Sequence, residues 1–553
     1  MGKKVVIIGG VAGGATALAR LRRLDESFEI VLFERGEYVS FANCGLPYYI
    51  GGTIESRENL LLQTPELMSS KFNADVRVSS EVIKIRKEEK KVIVKDKKTG
   101  KTYEESYDYL IISTGSTPLT PPILGIDSPN IFSLWTIPDT DVIKSYVDNI
   151  KPKHAVVVGG GFIGLEMAEN LAHLGIKVTI IEMLAQVMAP IEFGMAEIVH
   201  QHLREKGVDL ILNDGVNSFK YNEGVTTIKL NSNKEVKADM VILSIGVKPN
   251  GQLAKDAGLE VNQRNGIVVD KNLLTSDPSI YAVGDVIEVE DFISKTQTMI
   301  PLAGPANKQA RIVADNIFGK KKEYKGTQGT SIAKVFDLTV ANTGLNEKTL
   351  IKLGKEYKKD YQIALIHADP HAEYYPGGQQ MTLKMIYDLK GKILGAQIVG
   401  YEGVDKRIDV IATAIRFNGT IYDLCELELA YAPPYSSAKD PVNMLGFVAE
   451  NQLSNKFDIV IPREVKDLDS DSIFLDVRAA NREVTKGCLD DSLHIPLEEF
   501  RDRLDELDKD KTYITFCSTG VRSYMATRIL SANGFKAKNL AGGFKFYQTL
   551  NCR

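Results

Sequence analysis

Cysteine is scarce in this 553-residue chain, and what there is does not cluster. The five cysteines, at 44, 425, 488, 517 and 552, are odd in number and far apart, which fits reduced thiols better than a disulfide framework. None stands with histidines at zinc spacing, so no metal is expected. No apolar run reaches the ~18 residues of a membrane span, and Val5-Val6-Ile7-Ile8 is too short for a secretory signal. Charge of neither sign dominates: 68 basic against 72 acidic residues leave a net of -4, with no general attraction to nucleic acid or an anionic membrane. Basic clusters such as Lys320-Lys321-Lys322 read as solvated loops. The expectation is a cytoplasmic protein. Its 44% hydrophobic and 25% charged residues are ordinary for soluble globular chains, and its length suits about three or four domains.

Glycine is where the pattern begins. Val5 to Ile8 reads as a buried parallel strand, Gly9-Gly10-Val11-Ala12-Gly13-Gly14 as a turn, Ala15 to Leu24 as a helix and Glu29 to Glu34 as a second strand. This is a βαβ dinucleotide unit: Gly9 and Gly14 let the backbone approach a pyrophosphate at the helix N-terminus, and Glu34 is placed to accept hydrogen bonds from a ribose. Val11 stands where the middle glycine is usual. A second unit, Val156-Val157-Val158-Gly159-Gly160-Gly161-Phe162-Ile163-Gly164, has all three glycines, Gly159, Gly161 and Gly164, and a following strand ending in Glu182. Glu182 would bond a ribose 2′-hydroxyl and repel a 2′-phosphate, which leans towards NADH over NADPH.

The chain between and after these units has small-residue crossings. Asp108 to Ser113 enters Thr114-Gly115-Ser116, and Met240 to Ser244 enters Ile245-Gly246, so Thr114, Gly115 and Gly246 are candidate cofactor contacts. Asp285, at the end of Tyr281-Ala282-Val283-Gly284-Asp285, would bond a flexible polyol such as a flavin ribityl chain. Pro301-Leu302-Ala303 opens a helix running through Phe318, whose positive end suits the electron-rich side of a flavin, with Pro301 and Ala303 at the contact.

Cys44 stands in Ser40-Phe41-Ala42-Asn43-Cys44-Gly45-Leu46-Pro47-Tyr48-Tyr49, just past the strand that ends in Glu34. A cysteine is usually a small buried hydrophobe. Here Gly45 and Pro47 look like a bend that aims a side chain, and Ser40 and Asn43 are polar where a core helix would be apolar. Near the other end, a linker (449–470), mostly polar apart from the short run Ile459-Val460-Ile461 that could pack on a neighbour, precedes a separate domain (471–553). In it, His494-Ile495-Pro496-Leu497 leads into a helix. The strand Tyr513 to Phe516 enters Cys517-Ser518-Thr519-Gly520-Val521-Arg522-Ser523 and another helix. Backbone N–H groups of such a loop favour a thiolate and stabilise an anion. This segment resembles a rhodanese (sulfurtransferase) domain of the sulfur-type loop length, which implies that Cys517 carries a persulfide and that Arg522 contacts anions. Cys425, Cys488 and Cys552 lack such settings and read as structural.

Residues 1–448 resemble the two-dinucleotide-fold flavoprotein disulfide reductases, in the single-cysteine branch of coenzyme A-disulfide reductases and NADH oxidases and peroxidases. The specific motifs are the Cys44 segment and Leu429-Ala430-Tyr431-Ala432-Pro433-Pro434-Tyr435-Ser436-Ser437-Ala438-Lys439-Asp440. The resemblance implies an α/β fold of two Rossmann-like domains, an FAD-binding one (1–115 and 246–325) and an NAD(P)H-binding one (116–245), with an α/β dimerisation domain (326–448) and the rhodanese-like domain. FAD would be held by Gly9, Gly14, Glu34 and Asp285, and Cys44 would face the flavin. The molecule would be a homodimer in which Tyr374 or Tyr375, and Tyr431 or Tyr435, reach the partner subunit's cysteine. Five residues after Cys44, where ordinary disulfide reductases have a second cysteine, stands Tyr49, so the partner sulfur must come from substrate. Coenzyme A disulfide, coenzyme A persulfide or polysulfide is expected, with Arg20, Arg22, Arg23 and Lys71 as candidate contacts for the coenzyme A diphosphate, and Ser40 and Asn43 nearer the sulfur. An NADH oxidase or peroxidase working through a Cys44 sulfenic acid is the alternative. Peroxidases of the branch carry a histidine in the first glycine turn, where this chain has Val11 and Ala12.

Overall fold

Two apolar runs form the centres of two parallel sheets. The computed structural model describes residues 2–479, 487, 489 and 491–551; Cys488 and Cys552 lie outside them. By internal contacts the chain divides into two units, Met1–Leu184 with Gly207–Gly329, and Ala185–Lys206 with Thr330–Arg553.

In the first unit, strand Lys4–Ile8 buries Val5, Val6, Ile7 and Ile8, as an interior parallel strand covered on both faces must. Its sheet runs in the order Ile280–Ala282, Tyr109–Ile112, Lys4–Ile8, Glu29–Phe33, Asp75–Arg77, all parallel. The second sheet runs Asp209–Ile211, Lys177–Ile181, His154–Val158, Met240–Leu243, Ile131–Ser133, also parallel. The chain leaves the first sheet along Ser116–Pro118 and comes back along Val247–Pro249, and these two crossings pair antiparallel. The first sheet therefore takes strands from both sides of the second.

The second unit has an antiparallel sheet in the order Ser331–Val335, Leu338–Gly344, Ile393–Gly400, Met381–Asp388, Tyr361–Ala368. Helix Val404–Arg416 covers it through Ile408, Ile411 and Ile415. A parallel sheet follows, in the order Asp458–Val460, Lys536–Leu540, Thr512–Phe516, Ser472–Asp476, Leu493–His494.

Three expectations need correcting here. The segment 449–470 is not a free linker: helix Pro441–Leu453 runs into it, and Asp458–Val460 is an edge strand paired with Lys536–Leu540. The apolar run Ile459-Val460-Ile461 goes into the sheet because it can bury there what a tether would expose. No α-helix follows Leu497; the chain there makes turns and a short 3-10 turn, Leu504–Glu506. Finally, Ala185–Lys206, inside the span assigned to NAD(P)H binding, packs with the second unit: Glu192 N–H donates to Gln397 Oε1 at 2.7 Å.

A buried carboxylate pins the C-terminal sheet to the antiparallel one. Glu347 is 3% exposed; its Oε1 accepts from Arg463 Nη2 at 2.6 Å and from Tyr361 OH at 3.1 Å, and Lys384 Nζ donates to Oε2. Burial by itself would raise this carboxyl, but Lys384 and Arg463 outweigh it and hold the group below its ordinary range. A second pair, Lys358 Nζ to Glu464 Oε1 at 2.9 Å, ties the same junction.

Removing that carboxylate by Glu347→Ala strands two cations, at a cost of about 3 kcal/mol. Trypsin should then cut at Lys456, beside the junction, at least about tenfold faster than in wild type. Because the folded pKa is depressed, the contribution is complete above the unfolded value near about 4.3 and is lost as pH falls through the folded one. The Tm gap between wild type and Glu347→Gln should accordingly be constant above about pH 5 and close below it; a gap that widens in acid would contradict this assignment.

Candidate functional site: two dinucleotide turns, a lone thiol and a sulfur loop

The two glycine turns are built alike. Glu34 Oε2 accepts from Gly10 N–H and its Oε1 from Gly36 N–H, each at 2.8 Å. Glu182 repeats this, with Oε2 on Gly160 N–H and Oε1 on Leu184 N–H, again at 2.8 Å. Both carboxylates are thus fixed at the strand end where a ribose would lie. Gly9 has φ +101°, and a Cβ there would stand 2.1 Å from Ser113 O, so no other residue fits. Gly161 differs: a Cβ would meet nothing within 4 Å, so the protein's own packing does not demand glycine, whereas a diphosphate drawn against the backbone does. Helices Ala12–Leu24, Phe162–His173 and Ala303–Ile317 all start without a side-chain cap, leaving N–H groups for an outside acceptor. Pro301 and Ala303 flank the last of these starts. The residues therefore fit two bound dinucleotides, the first with Asp285 beside it. That carboxyl is pushed up by burial, against a 3.0 Å hydrogen bond from Ser116 Oγ. Thr114 is tied to Asn250 by its hydroxyl, which donates to Asn250 O at 3.0 Å, and Gly115 and Gly246 both take positive φ at the crossings.

Cys44 lies in a 3-10 turn, Asn43–Gly45, that continues into helix Leu46–Ile50 with Pro47 in its first turn. Ser40, at φ +46°, donates its N–H to Gly10 O at 2.9 Å and so ties the cysteine segment to the first glycine turn. Gly45 is buried where a Cβ would meet Leu60 Cδ2 at 2.9 Å, which fixes the bend. The thiol is exposed and unpaired, and Asn43 beside it is exposed too. Helix Leu46–Ile50 packs on helix Phe162–His173 of the second dinucleotide fold, which brings Glu166 to the cysteine and Glu169 to Tyr48. Desolvation, and then the Glu166 charge, hold the Cys44 thiol above its ordinary range. Glu166 itself is pushed up to about 7 by burial and by Glu169. A carboxyl that exchanges its proton near neutrality thus stands by the thiol. Sequence reasoning missed it; the signal was a pair of glutamates one helical turn apart on a mostly apolar helix.

The tyrosine loops come together in the second unit. Tyr374 OH and Tyr431 OH are 2.9 Å apart and both rings are exposed, while Tyr375 packs edge-on against His371 and Tyr435 points to solvent. Arg407 organises both loops from below. Its Nη2 donates to Pro370 O at 2.7 Å, Ser436 Oγ at 3.2 Å and Asp440 Oδ2 at 3.0 Å, and all three side chains are buried. Arg407 was also missed, although one arginine on the apolar stripe Val404, Ile408, Ile411 and Ile415 marks it.

In the C-terminal sheet, Cys517 is buried at the end of strand Thr512–Phe516. Gly520 N–H donates to its sulfur at 3.1 Å, and helix Val521–Ala532, which starts uncapped at Gly520, carries Arg522 in its first turn. Cys425 bonds Ile421 O, and its thiol is pushed up to about 11 by burial and by Glu450, as suits a structural cysteine.

The four expected diphosphate contacts divide. Arg22 is a correction: it is 5% exposed and donates to the carbonyls of Phe72, Asp25, Glu26, Phe28 and Asn73, which leaves it nothing for a ligand. Arg20 is paired with buried Asp315 at 2.7 Å. Arg23 and Lys71 are exposed, and each stands over the Phe72 ring, 5.7 and 5.5 Å from its centre.

Two dinucleotide turns with a lone thiol bound to the first make a pyridine nucleotide-disulphide oxidoreductase, and the chain belongs to that family. Its family model matches residues 3–310, that of the family's dimerisation domain 330–441, and that of the rhodanese-like domain 462–549. Within the family the chain is similar to coenzyme A disulfide reductase from Staphylococcus epidermidis, with 36% identity over 449 residues, 81% of this chain and 100% of that one. Over its whole length it is similar to reduced Bacillus anthracis CoADR-RHD, at 52% identity and a TM-score of 0.97, covering 100% of this chain and 98% of that one. An NAD-dependent persulfide reductase from A. fulgidus is 38% identical, with a TM-score of 0.91 over 98% of this chain and 99% of that one. A water-forming NADH oxidase from Lactobacillus brevis is 27% identical, at 0.77, over 82% of this chain and 99% of that one.

Glu166→Gln removes the charge that disfavours the Cys44 thiolate. The pH midpoint for alkylation of Cys44 by iodoacetamide, followed by peptide mass spectrometry, should move to lower pH. A midpoint unchanged or raised would detach Glu166 from the thiol.

Proposed function

We propose that the protein is a homodimeric, NAD(P)H-dependent flavoprotein that reduces the sulfur–sulfur bond of coenzyme A disulfide, coenzyme A persulfide or polysulfide through Cys44. The single observation that carries this is the exposed, unpaired Cys44 thiol, tied by the Ser40 N–H to the first dinucleotide turn, with Tyr49 where a second cysteine would stand. Bound NAD(P)H and FAD would supply two electrons and one proton as a hydride equivalent, and solvent the second proton, to the sulfur–sulfur bond formed at Cys44. The chain does the rest. Cys44 attacks the substrate sulfur, a mixed disulfide forms, and one thiolate leaves. Glu166, titrating near neutrality, takes the thiol proton. The joined hydroxyls of Tyr374 and Tyr431 are the donors for the leaving thiolate, offered to the partner subunit's Cys44; their contact favours this pair over Tyr375 and Tyr435. Arg23 and Lys71 are the exposed cations left for a diphosphate. Ser40 and Asn43 line the approach to the sulfur.

Cys517 collects sulfane sulfur and passes it on as a persulfide, with Arg522 holding the anion. Reduction then releases sulfide and a thiol for each NAD(P)H oxidised. The 27% identity to a water-forming NADH oxidase favours a second reading, in which the Cys44 thiolate reduces a peroxide and becomes a sulfenic acid, which two electrons from NAD(P)H return to the thiolate with release of water. The two readings separate on substrate: persulfide or coenzyme A disulfide against peroxide, with NADH consumption followed at 340 nm.

Cys44→Ser should lower kcat/KM for coenzyme A disulfide by roughly 10³-fold or more while leaving FAD bound, because serine is protonated at neutral pH. Near wild-type turnover would make Cys44 structural. Glu182, anchored where a 2′-phosphate would press, should favour NADH over NADPH by about tenfold, and Glu182→Gln should narrow that ratio. A ratio that Glu182→Gln leaves untouched would place the selectivity elsewhere.

A further inference from the structure

The amino end of the last helix, Gly543–Asn551, serves two neighbours at once. On one side its first N–H groups hold the sulfur loop: Phe544 N–H donates to Cys517 O at 2.8 Å and Lys545 N–H to Ser518 O at 3.0 Å. On the other it rests on the antiparallel sheet of the dimerisation domain. His367, near the end of strand Tyr361–Ala368, has Nε2 3.0 Å from Gly542 O, and its ring lies 6.3 Å from that of Phe546. Lys545 Nζ stands 3.3 Å from Gln380 Oε1. The approach tolerates only glycine at 542: φ is +74°, and a Cβ would come within 2.8 Å of Leu365 Cδ2.

The bonds also fix the imidazole's tautomer. A carbonyl can only accept, so Nε2 carries the proton, and Nδ1 accepts from the Thr382 hydroxyl 3.0 Å away. Neutral His367 is satisfied at both nitrogens. Burial, and then the neighbouring Lys545 ammonium, push its pKa down to about 4, against the Gly542 hydrogen bond. The ring is therefore an uncharged, fixed donor across the neutral range, with Lys545 and Asp369 the charged groups near it.

We propose that the Thr382–His367–Gly542 chain positions the Cys517 loop, so that the sulfurtransferase site is completed by the dimerisation domain. His367 touches neither sulfur nor substrate. It holds Gly542 and hence the two N–H groups that clamp Cys517 and Ser518. The idea rests on reading Cys517 as the sulfur carrier, but half of its test does not.

Two measurements on the full-length holoprotein decide it. The first is loading of Cys517 from thiosulfate, in which the thiolate takes the outer sulfur, becomes a persulfide and releases sulfite, followed by intact and peptide mass. The second is amide hydrogen exchange over the peptide containing Phe544 and Lys545. His367→Phe keeps a ring against Phe546 but has no donor. It should slow loading about tenfold, equivalent to about 1.4 kcal/mol in the barrier, and speed exchange in that peptide. His367→Gln, which can donate to Gly542 O, should restore both to within about threefold of wild type. FAD content and the alkylation rate of Cys44 serve as controls for the fold. Wild-type loading and exchange in His367→Phe would overturn the proposal. So would failure of His367→Gln to restore them, or exchange that rises evenly through the whole second unit. If His367→Phe does not fold, Thr382→Val, which removes only the partner of Nδ1, is read the same way, and no change in exchange overturns the proposal. A wild-type protein that takes up no sulfur would defeat the sulfur-carrier reading alone, and exchange would still decide the positioning role.

Discussion

A helix begins with N–H groups that have no partner in the helix, and in this protein that deficit is left open where chemistry is done. At five other helices it is closed locally: Thr64, Thr136, Asn346, Thr420 and Asp440 cap them with side chains. The helices that start at Val11, Gly161, Leu302 and Gly520 have no such cap. Three of them front the dinucleotide folds and the fourth closes on Cys517. Backbone N–H groups at such starts offer partial positive charge to an anion without desolvating a further cation there. The glycine turns, the Glu34 and Glu182 bonds and the bend at Gly45 keep side chains out of these open ends and the neighbouring strands in register with them.

Buried ionic groups settle a different matter, the placing of loops. Arg22 gathers the carbonyls of two loops, Arg407 gathers both tyrosine loops, and Glu347 gathers a strand and a turn from two sheets. Hydrophobic residues of like volume would give as much stability or more, but they would accept many arrangements. A buried guanidinium with its carbonyls counted out accepts one.

What the sequence made legible follows from this division. Glycine spacing, acidic strand ends and apolar strands are local properties, and from them the two parallel sheets, the lone thiol at Cys44 and the loop at Cys517 could be read directly. What depends on approach in space could not. Arg22 looked like any cation on a helix, and only the carbonyls of Phe28, Phe72 and Asn73 reveal its use. Glu166 gains its proton affinity from burial and from Glu169, and it meets Cys44 only because a helix more than a hundred residues earlier packs on its own. The polar stretch before Asp471 read as a tether because a three-residue edge strand is too short to show a period.

That edge strand has a bearing on how such a chain can arise. Asp458–Val460 pairs with Lys536–Leu540, the last strand, so the C-terminal module starts and finishes at the same border of its sheet. A fold whose two ends are neighbours can be joined to a gene for another protein, or opened and reclosed at a different loop, without threading one chain through the other. The module then needs fitting only along a contact surface, where Gly542 meets His367 and Arg463 meets Glu347.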